Sequence, residues 1–142
     1  MRRCRYRARD EPRCDAFGHR WAQAWNSHDV QAVLAHLHDD VLFTSPVAAT
    51  MFPETAEVLR GKDALRHYWK GALRRMPDLR FVVEDVYRGI DTIVINYRNQ
   101  NGGLVNEVLR FGDDGLVIEG NGTYLIGDPP AAPTQTDATD WV

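Results

Sequence analysis

A chain of 142 residues is long enough to bury one hydrophobic core without covalent staples and has the length of a single domain. Its 44% hydrophobic and 26% charged residues are the composition of a soluble globular protein, and a net charge of −3 argues against the basic surface that general nucleic-acid binding requires. No run of about 18 apolar residues occurs, so no membrane-spanning helix and no membrane partner are expected.

The first thirteen residues, MRRCRYRARDEPR, hold six arginines and no apolar stretch, so they are not expected to act as a secretory leader. They read as a disordered basic extension over 1–14, with an anion-binding arm as the other reading. Cys4 and Cys14 have no further Cys or His at zinc-ligand spacing and are expected as thiols in a reducing cytoplasm. Phe17, Trp21 and Trp25 recur every four residues, one stripe of a helix that ends near NSHD. Ser27 or Asp29 can cap a second helix, with Val30, Val33, Leu34 and Leu37 on its apolar side.

VLFTSP (41–46) is a strand stopped by Pro46, and 45–59 follows as a long loop whose Met51 and Phe52 suit a lid or a dimer contact. GKDALRHYWKGALRRMP then gives a third helix with Leu65, Tyr68, Trp69, Ala72, Leu73 and Met76 toward the core. Tyr68 and Trp69 are adjacent, so only one of them is expected to face fully inward. Strands follow at 79–88, 92–100, 103–111 and 116–126, and the Pro/Ala/Thr-rich remainder from 127 reads as a disordered tail. Helices followed by a meander define an α+β domain over 15–126, with the helices on one face of a curled, mostly antiparallel sheet.

Asn101-Gly102 is a strong two-residue hairpin signal, because a type I′ turn needs φ > 0 at both central positions. With that turn Arg98 faces Val105, Asn96 faces Glu107, and Val94 faces Leu109. Asn96, Arg98 and Glu107 would then share one face with Val94, Val105, Leu109 and Phe111. If Asp114-Gly115 closes the next hairpin, Glu107 faces Gly122, Leu109 faces Gly120 and Phe111 faces Ile118. A three-residue loop there would turn the last strand over. A carboxylate on such a face is paired, protonated or wet. Three arrangements follow: an ion pair of Glu107 with Arg98, an acid in a pocket, or a solvent-facing set. His36 and His38, two apart on an expected helix, point away from each other and form no metal pair.

WNSHDVQAVLAHLHDDVLFTSP, RGKDALRHYWKGAL and LRFGDDGLVIEGNGTYL, in this order and spacing, resemble the NTF2-like superfamily, the cone-shaped α+β fold of SnoaL-like cyclases, ketosteroid isomerases and limonene epoxide hydrolase. The resemblance spans about 15–126 and implies a cone-shaped half-barrel, an apolar pocket at its open end and a homodimer. Matched to the isomerase motif, the oxyanion-hole tyrosine falls on Trp21, the general-base aspartate on Ser45 and the second oxyanion-hole acid on Glu107. Only Glu107 keeps its chemistry, so steroid-type isomerisation is not expected. Epoxide hydrolysis in this fold uses a pair of acids with an arginine, and here Glu107 is the one acid placed, with Glu84 and Asp85 on a neighbouring strand of unassigned facing.

The resulting expectation is a cytoplasmic pocket protein for a small apolar molecule with an oxygen function. Any catalysis would be cofactor-free acid–base chemistry of an isomerase, cyclase or hydrolase kind. Glu107 would be its acid or base, and Trp21, Ser45, Asn96 and Arg98 would contact the substrate. The alternative is a non-catalytic ligand-binding or dimeric interaction module.

Overall fold

A computed structural model of the chain describes residues 11–51 and 58–127. The basic segment with Cys4, the loop residue Phe52 and the tail beyond 127 therefore lie outside the described residues. Helix α1 (Glu11–Asn26) is followed by α2 (Val30–Leu34), β1 (Leu37–Thr44), α3 (Pro46–Met51), β2 (Leu59–Arg60) and α4 (Lys62–Arg75). The chain then runs through β3 (Val82–Gly89), β4 (Thr92–Arg98), β5 (Leu104–Phe111) and β6 (Val117–Tyr124). The six strands form one sheet in the order β2-β1-β6-β5-β4-β3, antiparallel except for the parallel pair β1–β6. The helices cover one face of this curved sheet, and no helix among the described residues is long and apolar enough to cross a membrane.

The apolar stripe of α1 is the reason it docks: Phe17, Trp21 and Trp25 are all buried, together with Cys14. The helix also lies close on the sheet, since a methyl group at Gly18 would stand 2.7 Å from Val86 Cγ2. Its last residue, Asn26, binds the chain ahead of β3 through both ends of its amide, accepting from Phe81 N at 2.7 Å and donating to Phe81 O at 2.9 Å. Asp29 caps α2 by accepting from Ala32 N at 3.1 Å. That helix buries Val30, Val33 and Leu34 and then stops. Leu37, expected on the same helix, instead opens β1, because the backbone from His36 onward pairs with β6, beginning with Val117 N donating to His36 O at 2.9 Å. A residue three positions on from an apolar stripe suits either element when the helix is this short.

Within the stretch expected as a loop, Ser45 and Pro46 start α3. The Ser45 hydroxyl accepts from Val47 N at 3.1 Å, and proline is tolerated at the first helical position, where its missing N–H has no partner to lose.

The β4–β5 hairpin differs from the expected one by a single residue. Its loop has three residues, Gln100 to Gly102: Asn99 N donates to Gly103 O and Gly102 N to Asn99 O, both at 2.9 Å. Gly102 takes a φ of 83°, whereas Asn101 does not have the positive φ a type I′ turn requires. The cause is Asn99, a buried amide whose Oδ1 accepts from both Asn101 N and Gly103 N at 3.0 Å. It satisfies the wider loop internally.

Arg98 therefore pairs with Leu104, Asn96 with Asn106 and Ile95 with Glu107. This corrects the expected placement of Asn96, Arg98 and Val94. Because strand side chains alternate, the one-residue shift turns all three to the outer face and brings Ile93, Ile95 and Tyr97 inward. Arg98 is exposed, bonded to Glu84 Oε1 at 3.1 Å, and Asn96 donates to Asn106 Oδ1 at 2.7 Å.

The β5–β6 connection is also a three-residue loop, with Gly112 N donating to Leu116 O at 2.8 Å and Gly115 at a φ of 82°. Phe111 consequently pairs with Val117 instead of Ile118. A bulge just beyond it restores the expected pairs Leu109–Gly120 and Glu107–Gly122.

The loop amide gives a direct test. Asn99→Ala leaves two N–H groups without their acceptor, one on buried Gly103, and should lower the unfolding free energy by about 1–3 kcal/mol in urea denaturation. An unchanged midpoint would mean that the loop holds its register without this side chain.

Candidate functional site

Between the helices and the concave side of the sheet lies a cavity of about 70 Å³, several times the space one water needs. Its wall is aromatic: Trp21 and Trp25 from α1, Tyr68 and Trp69 from α4, Phe81 ahead of β3, and Tyr97 from β4. Ser45, Glu107, Gly122 and Tyr124 complete the polar side, and Asn99 and Gln100 contribute from the hairpin loop. Tyr68 and Trp69 both line the cavity and both are buried, contrary to the expectation that only one would face inward. A helix set into a concave sheet buries an arc wide enough to include two side chains 100° apart.

Glu107 stands on the central strand β5, 6% exposed. Among the described residues its one side-chain hydrogen bond comes from the Tyr97 hydroxyl, at 3.4 Å to Oε1. No cation among the described residues lines the cavity. Burial therefore raises its pKa from the usual 4.5 to about 8, and the Tyr97 hydrogen bond only partly opposes this. Glu107 is mostly a neutral carboxylic acid at pH 7, able to donate as well as accept.

The phenols respond to the same surroundings. Burial, then the charge of Glu107, holds Tyr97 well above its ordinary value, and burial pushes Tyr124 up to about 12. Tyr68 is likewise raised by burial. Three neutral phenols and one neutral carboxyl thus face one space.

Ser45 joins this group from the end of β1, its hydroxyl 3.5 Å from the Tyr124 hydroxyl. The gap between Ser45 and Glu107 is kept by glycine. A Cβ at Gly122 would be 3.6 Å from Ser45 Oγ and 3.7 Å from Glu107 Oε1, filling the space between them.

Of the residues singled out from the sequence, Trp21, Ser45 and Glu107 meet in this cavity, whereas Asn96 and Arg98 lie on the opposite face of the sheet. The ion pair of Glu107 with Arg98 is thereby overturned. Glu84 is engaged with Arg98 and Asp85 is exposed, so among the described residues Glu107 is the one acid lining the cavity. Tyr124 already shared the inward face with Gly122 in the expected register and was not singled out, whereas Tyr97 was missed because its facing depends on the β4–β5 loop. The signal was Asn99, whose side chain favours a wider loop than Asn-Gly alone.

The histidines lie elsewhere. His36 packs edge-on against Phe17, with ring centroids 5.0 Å apart, and His38 Nε2 is 3.8 Å from Asp114 Oδ2. No group of three or more His, Cys, Asp or Glu suited to a metal occurs among the described residues.

An α+β cone with an aromatic cavity at its centre defines a class of small pocket proteins. The SnoaL-like domain profile matches residues 19–120, and the chain belongs to the SnoaL-like family. It is similar to a SnoaL-like protein of unknown function from Burkholderia thailandensis E264, with 37% identity over 78% of this chain and 92% of that one, at a TM-score of 0.74. The fold is shared with AclR of Streptomyces galilaeus, at 19% identity over 80% of this chain and 89% of that one and a TM-score of 0.61. It is shared also with TerC, crystallised with polyporic acid, at 11% identity over 75% and 86% and a TM-score of 0.62. No curated protein matches the chain.

The raised pKa of Glu107 has a consequence for stability. Between pH 4.5 and 8 the unfolded chain has lost this proton while the folded protein keeps it, so stability falls as pH rises. The contribution is fully present below pH 4.5 and is lost as pH climbs through 8, on the order of several kcal/mol. Glu107→Gln should flatten this slope and match or exceed the parent at pH 9. Urea denaturation at pH 5, 7 and 9 reads it, and a variant less stable than the parent at every pH would mean that a charged Glu107 is compensated.

Proposed function

We propose that this protein binds a small, largely apolar molecule bearing a carbonyl or related oxygen. We propose further that it acts on this molecule by cofactor-free acid–base chemistry, with Glu107 as the acid. The observation that carries the reading is the buried carboxyl of Glu107, raised to a pKa of about 8 and held by one long hydrogen bond in an aromatic cavity. A neutral acid at that place donates a hydrogen bond to a substrate oxygen and favours charge developing on it as a neighbouring bond rearranges. In a cavity with few competing dipoles such a bond is worth more than in water. Tyr97 orients the carboxyl from Oε1, and the aromatic wall supplies affinity through apolar burial. The co-crystallisation of TerC with polyporic acid and the description of AclR as a candidate hydroxylase accord with this at the level of the fold.

A second reading, a non-catalytic binding module, is favoured by Ser45. The residue before Pro46 carries no base, and its hydroxyl is already used to cap α3. Among the described residues no second acid lines the cavity, so proton transfer in both directions would fall to Glu107 alone.

A thermal-shift screen against small ketones, phenols, lactones and epoxides separates these readings from an empty assignment. A ligand at a hundred times its Kd should add about 2.7 kcal/mol of stability. With a turned-over ligand, Glu107→Gln should lower kcat by about 10²–10⁴, and the parent's rate should fall as pH rises through 8. A rate that climbs to a plateau above pH 8 would assign Glu107 as base instead, and binding without turnover would support the module.

A further inference from the structure

Trp25 carries an anomaly that core packing does not explain. Its ring is buried, yet Nε1 has no hydrogen-bond partner among the described residues. A buried indole N–H ordinarily finds an acceptor, and leaving one without costs about 1–3 kcal/mol. Phenylalanine would supply apolar packing there without that cost.

The ring is also held from several sides. It packs edge-on against Trp21 at 6.3 Å and Trp69 at 4.9 Å between centroids, and tilted against Phe81 at 5.7 Å.

Trp25 and Glu107 border the same space twice. Both line the main cavity, and both line a smaller void of about 20 Å³ beneath it, otherwise walled by Trp21, Trp69, Gly120 and aliphatic or phenyl side chains. Among those walls Glu107 holds the one hydrogen-bond acceptor on a side chain, and Trp25 holds the unpartnered donor.

We propose that the indole N–H of Trp25 and the carboxyl of Glu107 together form a subsite for one carbonyl oxygen of a small aromatic or alicyclic ketone, entering from the main cavity. This deepens the proposed function and rests on its assignment of the cavity as a ligand site. A carbonyl oxygen has two lone pairs and accepts from both donors, which satisfies the N–H left open in the unliganded protein. A hydrocarbon of the same shape fills the cavity but leaves both donors unpaired. Trp25 is thus a specificity-determining residue that selects a ketone over its hydrocarbon isostere.

Acetophenone and α-methylstyrene test this, since they differ by the exchange of C=O for C=CH₂. The readout is the ¹H–¹⁵N spectrum of the tryptophan indoles, with the Trp25 signal identified by its loss in Trp25→Phe. Acetophenone should move the Trp25 N–H resonance downfield in the parent protein, and α-methylstyrene should not. Trp25→Phe should weaken acetophenone binding about tenfold more than it weakens α-methylstyrene binding, the difference being the worth of one hydrogen bond. The parent-protein spectra stand on their own should Trp25→Phe fold poorly. Equal responses to the two probes would overturn the subsite while leaving the cavity as a ligand site. Binding by neither probe would overturn both.

Discussion

The burial of Glu107, with no cation beside it among the described residues, governs the chemistry of this site. A carboxylate placed among indoles and phenols loses its hydration and regains one long hydrogen bond from Tyr97, which is too little to keep it charged. The folded protein resolves the conflict by holding the proton. Burial keeps Tyr97 and Tyr124 protonated as well, and negative charge on Glu107 would only raise them further. The cavity becomes a set of uncharged donors in apolar surroundings.

The sheet makes this arrangement rigid. β5 lies between β4 and β6, hydrogen-bonded on both sides, so Glu107 cannot reach water by fraying of an edge. Its partner across β6 is Gly122, which leaves the space that a side chain would occupy between Ser45 and Glu107. The aromatic residues of α1 and α4 close the other side. A core filled to ordinary density would be more stable and would have no cavity. Here an open space, a buried acid and an unpartnered indole N–H occur together, and features that each weaken a fold tend to accumulate where a site is maintained.

Much of this was legible in residue order. The stripe of Phe17, Trp21 and Trp25 and the cap at Asp29 follow from local rules of period and capping, whereas the expected pair of Glu107 with Gly122 occurs only because a bulge offsets a three-residue loop. The start of α3 at Ser45-Pro46 was equally available, as an N-cap serine followed by a first-turn proline, but Pro46 was read as the end of a strand. Leu37 shows the limit of periodicity, because its burial suits a short helix and a strand alike and the parallel contact with β6 decides between them.

By itself the sequence determined the α+β class, the order of the long elements and the inward face of β5, because alternation along one strand is a property of that strand alone. Which face β4 turns inward was a tertiary decision. It depends on whether the chain closes on Asn101-Gly102 as a two-residue turn or lets Asn99 hold a three-residue loop, two local options differing by one residue. That single residue sends Arg98 to solvent and puts Tyr97 beside Glu107. The proton on Glu107 likewise exists only in the folded protein, since its cause is the water removed when the helices cover the sheet.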